Sequence, residues 1–253
     1  MFAKGLVSDV TATMCFEGFN PALVKKSFTY CVDITIVTLD SPAGMGKTTL
    51  TRHLADKLGI AYLDTGAMFR SVALVFGEGA WEKPVDQLVP ELNRLDFDLE
   101  GVGGHSELLL NGHPLSPEIR SEQVGLWASH LGRIPVVRDF LRRNQQAIGR
   151  ITSLVAEGRD MGSVVFPEAR FKFFLDASID IRVQRRFEQL KALGMEEDME
   201  RIRAQIRIRD DQDRNRSVAP LRPAKDAVLI DTGKADVEGV LREIFAVIER
   251  KTA

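Results

Sequence analysis

The stretch Ser41-Pro-Ala-Gly-Met-Gly-Lys-Thr48 constrains this chain more than any other. It follows the apolar run Ile34-Thr-Ile-Val-Thr-Leu39, whose Ile, Val and Thr content suits a buried strand. It precedes Leu50, Leu54 and Leu58, which are spaced by four and mark one face of a helix. Strand, glycine loop, Lys-Thr and helix in that order predict a phosphate-binding P-loop. Residues Ser41, Pro42, Ala43, Gly44, Met45, Gly46, Lys47, Thr48 and Thr49 are its candidate ATP-binding residues. Loop and helix N–H groups converge on a phosphate chain, and the helix dipole favours negative charge at the same point. Lys47 would reach the β- and γ-phosphates, and the Thr48 hydroxyl would be a ligand for Mg²⁺. Ser41 stands where such loops usually begin with glycine, so a left-handed backbone there would be strained.

With 253 residues, the chain can hold one large α/β domain or two small ones. The net charge of -2 gives no overall attraction to nucleic acid or anionic membrane, so neither is an expected partner. No apolar stretch has the length to span a bilayer. Cys15 and Cys31 lack metal-ligand or redox spacing, which points to a reduced, cytoplasmic protein. Residues 1–31 show no clean periodicity and are read as a loosely ordered N-terminal extension, with residues 32–253 forming the main domain.

Further strand-like runs are Ile60–Leu63, Ser153–Ala156, Phe171–Leu175 and Ala227–Ile230. Each is short, apolar and bounded by turn or charged residues, as buried parallel strands are. Helical patterns cover 118–131, 136–149, 179–193, 197–209 and 236–250. Alternating strands and helices predict an α/β, P-loop three-layer fold with a five-stranded parallel sheet. Residues 94–116 interrupt the rhythm with alternating Leu95–Leu99 and with Glu107–Leu110 ending at Asn111-Gly112. They predict a small antiparallel β insert projecting from the main sheet.

Open α/β sheets bind ligands at the carboxyl ends of their strands. Asp64-Thr-Gly-Ala-Met-Phe-Arg70 follows the second strand and Glu157-Gly-Arg-Asp-Met-Gly162 the third, so both face the P-loop. Arg70 suits a second phosphate, although taken alone it reads more readily as a solvated surface arginine. Arg159 and Asp160 place opposite charges side by side. Residues 201–216 contain six arginines, and Arg182, Arg185 and Arg186 lie on the preceding helical stretch. From charge alone this is either a solvated hairpin of surface ion pairs or a lid over a triphosphate. It has no interleaved aromatics of the kind RNA-binding surfaces use for stacking.

Together these residues resemble the bacterial cytidylate kinases, the CMP kinases of the nucleoside monophosphate kinase group. The likeness runs from about Ile34 to the C-terminus and rests on four strings. They are Asp64–Arg70, Ser116-Pro-Glu-Ile-Arg120, Glu157–Gly162 and Arg209-Asp-Asp-Gln-Asp-Arg-Asn-Arg-Ser-Val-Ala-Pro220. The resemblance implies transfer of the ATP γ-phosphate to CMP or dCMP with Mg²⁺, by a cytoplasmic monomer of pyrimidine nucleotide metabolism. It implies a CMP-binding region over about 65–150 and a helical, arginine-rich lid over about 179–216. Carried over by position, Thr65, Arg70 and Arg159 fall near the CMP phosphate. Ser129, Arg138, Asp160 and Arg216 fall at the cytosine, and Arg209 and Asp213 at the ribose. Lys47, Arg159 and the lid residues Arg182 and Arg186 are the implied catalytic group. The chain departs from the family pattern at Ser41, at Phe69 where Tyr is common, and at Gln212 where Arg can occur.

Overall fold

The computed structural model describes residues 34–192, 194 and 198–252. The expected N-terminal extension at 1–31, with both cysteines, lies outside the described residues, as do the ends of the patterns at 193 and 197. Strand β1 (Ile36–Asp40) leads through the glycine loop into helix α1 (Lys47–Leu58). Strand β2 (Ala61–Asp64) and helix α2 (Thr65–Phe76) follow, with the Asp64 carboxylate capping α2 by accepting from Ala67 N–H. Helix α3 (Val85–Leu92) leads to β3 (Phe97–Glu100), β4 (Glu107–Leu110) and β5 (His113–Pro114). Helices α4 (Glu122–Leu131) and α5 (Pro135–Ile151) precede β6 (Leu154–Gly158) and β7 (Phe171–Asp176). Helices α6 (Ile179–Ala192) and α7 (Met199–Asn215), strand β8 (Val228–Asp231) and helix α8 (Val237–Thr252) complete the chain.

The five main strands pair in parallel in the order β2-β6-β1-β7-β8. Successive side chains on a strand point to opposite faces. Leu154 and Ala156 therefore join one core layer with Leu63, Met68 and Leu141, while Val155 joins the other with Leu54, Phe173 and Ile244. Each fully buried Leu or Ile contributes roughly 1.5–3 kcal/mol, so two covered faces make this central sheet the stable frame for the site. The expected three-layer α/β fold is the fold observed.

The insert differs from expectation in where it lies. Its strands are antiparallel, and Asn111 (φ 52°) and Gly112 (φ 75°) make the expected tight turn between β4 and β5. It does not project from the sheet. The loop joining β3 to β4 lies along the edge strand: Gly103 N–H donates to Ile60 O, and Tyr62 N–H to Ser106 Oγ, each at 2.8 Å. Helix α3 has no counterpart among the expected helices, because Pro90 lies inside it. The pattern at 118–131 resolves into a 3₁₀ turn, Pro117–Arg120, and then α4, which begins where Ser121 Oγ accepts from Val124 N–H.

Candidate active site

The carboxyl ends of β1, β2 and β6 meet at one rim of the sheet, and the loops leaving them build a polar cleft. In the phosphate loop the left-handed positions are Gly44 (φ 76°) and Gly46 (φ 68°). Ser41 is not left-handed, so the strain expected there is absent. Its N–H donates to Gly158 O at 3.4 Å and its hydroxyl to Pro42 O at 3.0 Å, wholly out of contact with water. Pro42, Ala43 and Met45 are buried beneath the loop. Lys47, Thr48 and Thr49 form the first turn of α1, where backbone N–H groups have no intrahelical acceptor. No acidic residue in that turn competes for them. Burial depresses the Lys47 ammonium to about 7, and Arg159 adds to the effect, while Glu157, Asp40 and Asp213 oppose it.

Across the cleft, arginines and carboxylates interlock. Arg138 Nη2 lies 2.6 Å from Asp160 Oδ2, both side chains are under one-tenth exposed, and Arg138 Nη1 donates to Gly132 O. The Phe69 ring lies 5.3 Å from the Arg138 guanidinium carbon, so the aromatic face serves where no phenol is present. Arg216 Nη2 is at ion-pair distance from Asp160 Oδ1, 3.5 Å, but its direction makes no hydrogen bond. Arg159 Nε donates to Asp213 Oδ2 at 2.8 Å. Burial works against the Asp213 carboxylate, but Arg159, Arg216 and Arg209 outweigh it and hold its pKa low. Ser129 Oγ donates to Gln212 Oε1 at 2.9 Å, joining α4 to α7. Thr65 Oγ1 donates to Glu157 O at 2.6 Å, and Arg70 Nη1 to Ile119 O at 3.1 Å.

The positive charge here exceeds its local compensation. Burial, then Arg159 and Arg70, pushes the Arg209 guanidinium down to about 10. A guanidinium depressed by two neighbouring guanidiniums favours an anion beside it. Every acceptor-side residue expected from sequence lines the same cleft as Lys47 and Thr48. Arg182 and Arg186 do not line it. Arg182 is buried against the phosphate loop: its Nη1 donates to Ala43 O at 3.0 Å and lies 2.6 Å from Asp210 Oδ2, and its Nε donates to Ala177 O. Arg186 pairs with Glu122 at the start of α4.

The structure adds residues that sequence reasoning left out. Asp210 Oδ1 accepts from Ala43 N–H at 3.1 Å, so α7 holds the phosphate loop directly. The buried Glu157 carboxylate accepts from Tyr62 Oη, and burial followed by Asp64 raises its pKa against Lys47 and Tyr62. Asp40 accepts from Met161 and Gly162 N–H. Glu157 sat inside a motif already singled out, and Asp40 at the end of the first strand, so position at the sheet's rim was the available signal.

Thr48 is half-buried at the cleft beside Lys47. No group of three or more His, Cys, Asp or Glu that could hold a metal occurs among the described residues. A divalent ion here would draw its remaining ligands from phosphate oxygens and water, the usual manner for Mg²⁺. The Thr48 hydroxyl fits that role.

The family model described as cytidylate kinase matches residues 37–250. The chain is 54% identical over 216 residues to the cytidylate kinase of Maridesulfovibrio salexigens, covering 85% of this chain and 97% of that one. It is 51% identical over 228 residues to the cytidylate kinase of Nitratidesulfovibrio vulgaris strain Hildenborough, covering 90% and 94%. With the cytidylate kinase of Vibrio cholerae the identity is 43% over 217 residues, covering 85% and 96%.

Proposed function

Because this chain belongs to the cytidylate kinase family, we propose that it transfers the γ-phosphoryl group of ATP to CMP or dCMP, releasing ADP and CDP or dCDP. The observation that carries the reading is the fixed Asp160 carboxylate. It is buried, held by Arg138 and Arg216, and lines the same cleft as the phosphate loop. Cytosine offers a 4-amino donor, which a carboxylate accepts, whereas uracil offers an oxygen at that place. A site built around such a contact rejects the wrong base by leaving buried groups unpaired.

In this reading the loop from Ser41 to Thr49 binds the ATP phosphates, and Lys47 neutralises charge at the β- and γ-oxygens. Thr65, Arg70 and Arg159 hold the acceptor phosphate, Asp213 and Arg209 the ribose, and Ser129, Arg138, Asp160 and Arg216 the base. A CMP phosphate oxygen attacks the γ-phosphorus, the bond to the bridging oxygen breaks, and ADP leaves with that electron pair. Mg²⁺, held by the Thr48 hydroxyl, would supply charge neutralisation on the transferring group. On the lid of about 179–216, Arg182 acts from behind the phosphate loop, donating to Ala43 O and pairing with Asp210, and Arg186 pairs with Glu122 at the start of α4. Residues 32–253 act as one kinase domain in a monomer of pyrimidine nucleotide metabolism, with about 65–150 as the acceptor region. No described helix is long and apolar enough to cross a membrane.

The test is ADP release measured with CMP, dCMP, UMP, AMP and GMP as acceptors. An unpaired buried group costs about 1–3 kcal/mol, so CMP is expected to exceed UMP in kcat/KM by about tenfold or more. Asp160→Ala should lower CMP efficiency far more than UMP efficiency. Equal use of the five acceptors, or a CMP:UMP ratio untouched in Asp160→Ala, refutes the reading.

A further inference from the structure

Asp40 ends β1 and stands directly before the phosphate loop, yet its carboxylate serves the opposite side of the cleft. It is 3% exposed. Oδ1 accepts from Met161 N–H and Oδ2 from Gly162 N–H, both at 2.8 Å. These amides open the helical turn Met161–Val165 immediately after Asp160. The register of β1 on β6 places Asp40 opposite Gly158, so the carboxylate spans from one strand end to the turn that leaves the next. A clasp on two successive amides fixes their peptide planes, and with them the backbone of the residue just before. The Asp160 side chain is held separately by Arg138 and Arg216.

We infer that Asp40 is a positioning residue for base selection, whose clasp on Met161 and Gly162 sets the direction in which Asp160 presents its carboxylate to the nucleobase. The inference rests on the reading of Asp160 as the base-facing acceptor. It separates two roles for the β1 terminus: the chain runs on into the donor loop, while the side chain organises acceptor recognition.

The charged groups facing Asp40 are Asp160 and Lys47. Burial raises the Asp40 carboxyl to about 6, and Asp160 adds to this, while the two amides and Lys47 oppose it. A protonated carboxyl turns one oxygen into a donor, so one of the two amides loses its acceptor. Selectivity for CMP over UMP should therefore be full above pH 7 and fall as pH drops through about 6. Lys47 titrates nearby, but it acts on the ATP common to both reactions, and its effect divides out of the ratio.

The experiment compares wild type, Asp40→Asn and Asp160→Ala, all verified as folded by circular dichroism. It measures KM for CMP and for ATP and the CMP:UMP ratio of kcat/KM between pH 5.5 and 8. In Asp40→Asn the amide nitrogen faces a backbone donor, so one clasp is broken at nearly constant volume. Misplacement of a binding group is expressed in binding of the ligand it serves, so KM for CMP should rise about fivefold or more, the ratio should narrow by a similar factor and lose its pH dependence, and KM for ATP should stay within about twofold. A merely structural role would lower the melting temperature or the active fraction and leave both KM values and the ratio in place; that result overturns the inference. If Asp40→Asn fails to fold, the wild-type ratio decides alone, and a ratio flat from pH 8 to 5.5 overturns it. A ratio narrowed by Asp160→Ala and untouched by Asp40→Asn defeats this inference only, whereas a ratio untouched by Asp160→Ala defeats the reading of Asp160 as well.

Discussion

Asp210→Ala should cost far more stability than a lid residue ordinarily would. The Asp210 carboxylate accepts from Ala43 N–H at the phosphate loop and pairs with Arg182, whose side chain is 6% exposed. Truncation leaves that guanidinium with two backbone acceptors, Ala43 O and Ala177 O, and no facing carboxylate. It also strands the Ala43 N–H. Breaking a buried ion pair from one side costs about 3–5 kcal/mol, and the orphaned amide falls within that figure because the groups share one network. For a folded body of this size each kcal/mol moves the melting temperature by about 2–4 °C, so the expected fall is roughly 6–20 °C. Asp210→Asn keeps an acceptor for Ala43 and should lose less. Arg182→Met in the Asp210→Ala background removes the stranded charge and should recover part of the loss. Urea denaturation followed by tryptophan fluorescence measures all four proteins. A single mutant within about 1 kcal/mol of wild type, or a double mutant no more stable than the single, would refute the argument, since a stranded buried charge is its whole basis.

Three further outcomes are expected. Ser41→Gly should lower stability by about 1 kcal/mol and improve nothing, because it empties a fully buried position that carries no left-handed strain and frees the unfolded chain; a gain in ATP affinity would contradict this. Gly158→Ala should impair CMP binding and cost about 1–3 kcal/mol by overpacking, since a Cβ there would lie 2.7 Å from Met161 Cγ and 2.9 Å from Thr65 Oγ1; a variant with wild-type KM for CMP would show that the site yields freely. The Lys47 ammonium is present below about pH 7 and lost as pH rises through that value, so kcat/KM for ATP at saturating CMP should decline on the alkaline side, and a flat profile to pH 9 would show that the ammonium persists.

The phosphate loop was legible because its signal is local: glycines, Lys-Thr and two flanking hydrophobic periods. Strand ends were less so. Asp40, Asp64, Asp176 and Asp231 each continue a strand beyond its apolar run, because the sheet's carboxyl rim is where side chains meet the cleft or solvent. Reading hydrophobicity therefore trims the strands just where chemistry begins, and it hid the clasp made by Asp40. Helix α3 was hidden by Pro90, whose usual meaning is interruption. Arg182 was grouped with its neighbours by charge, and only packing reveals that it faces Asp210 and the phosphate loop rather than the cleft. Pairings across many residues, such as Ser129 with Gln212, leave no trace in spacing.

The insert along β2 also bears on how the protein stays apart from other copies of itself. An outermost strand offers unpaired amides and carbonyls on which another chain can build. At β2 that offer is withdrawn, because Gly103 and Ser106 occupy the Ile60 carbonyl and the Tyr62 amide. The opposite margin, β8, is only four residues long, with Leu229 65% exposed. Both margins are four residues long, and β2 is shielded further by the bound loop. Shortening the insert would convert a shielded margin into an adhesive one, and its first symptom would be loss of soluble protein rather than loss of turnover.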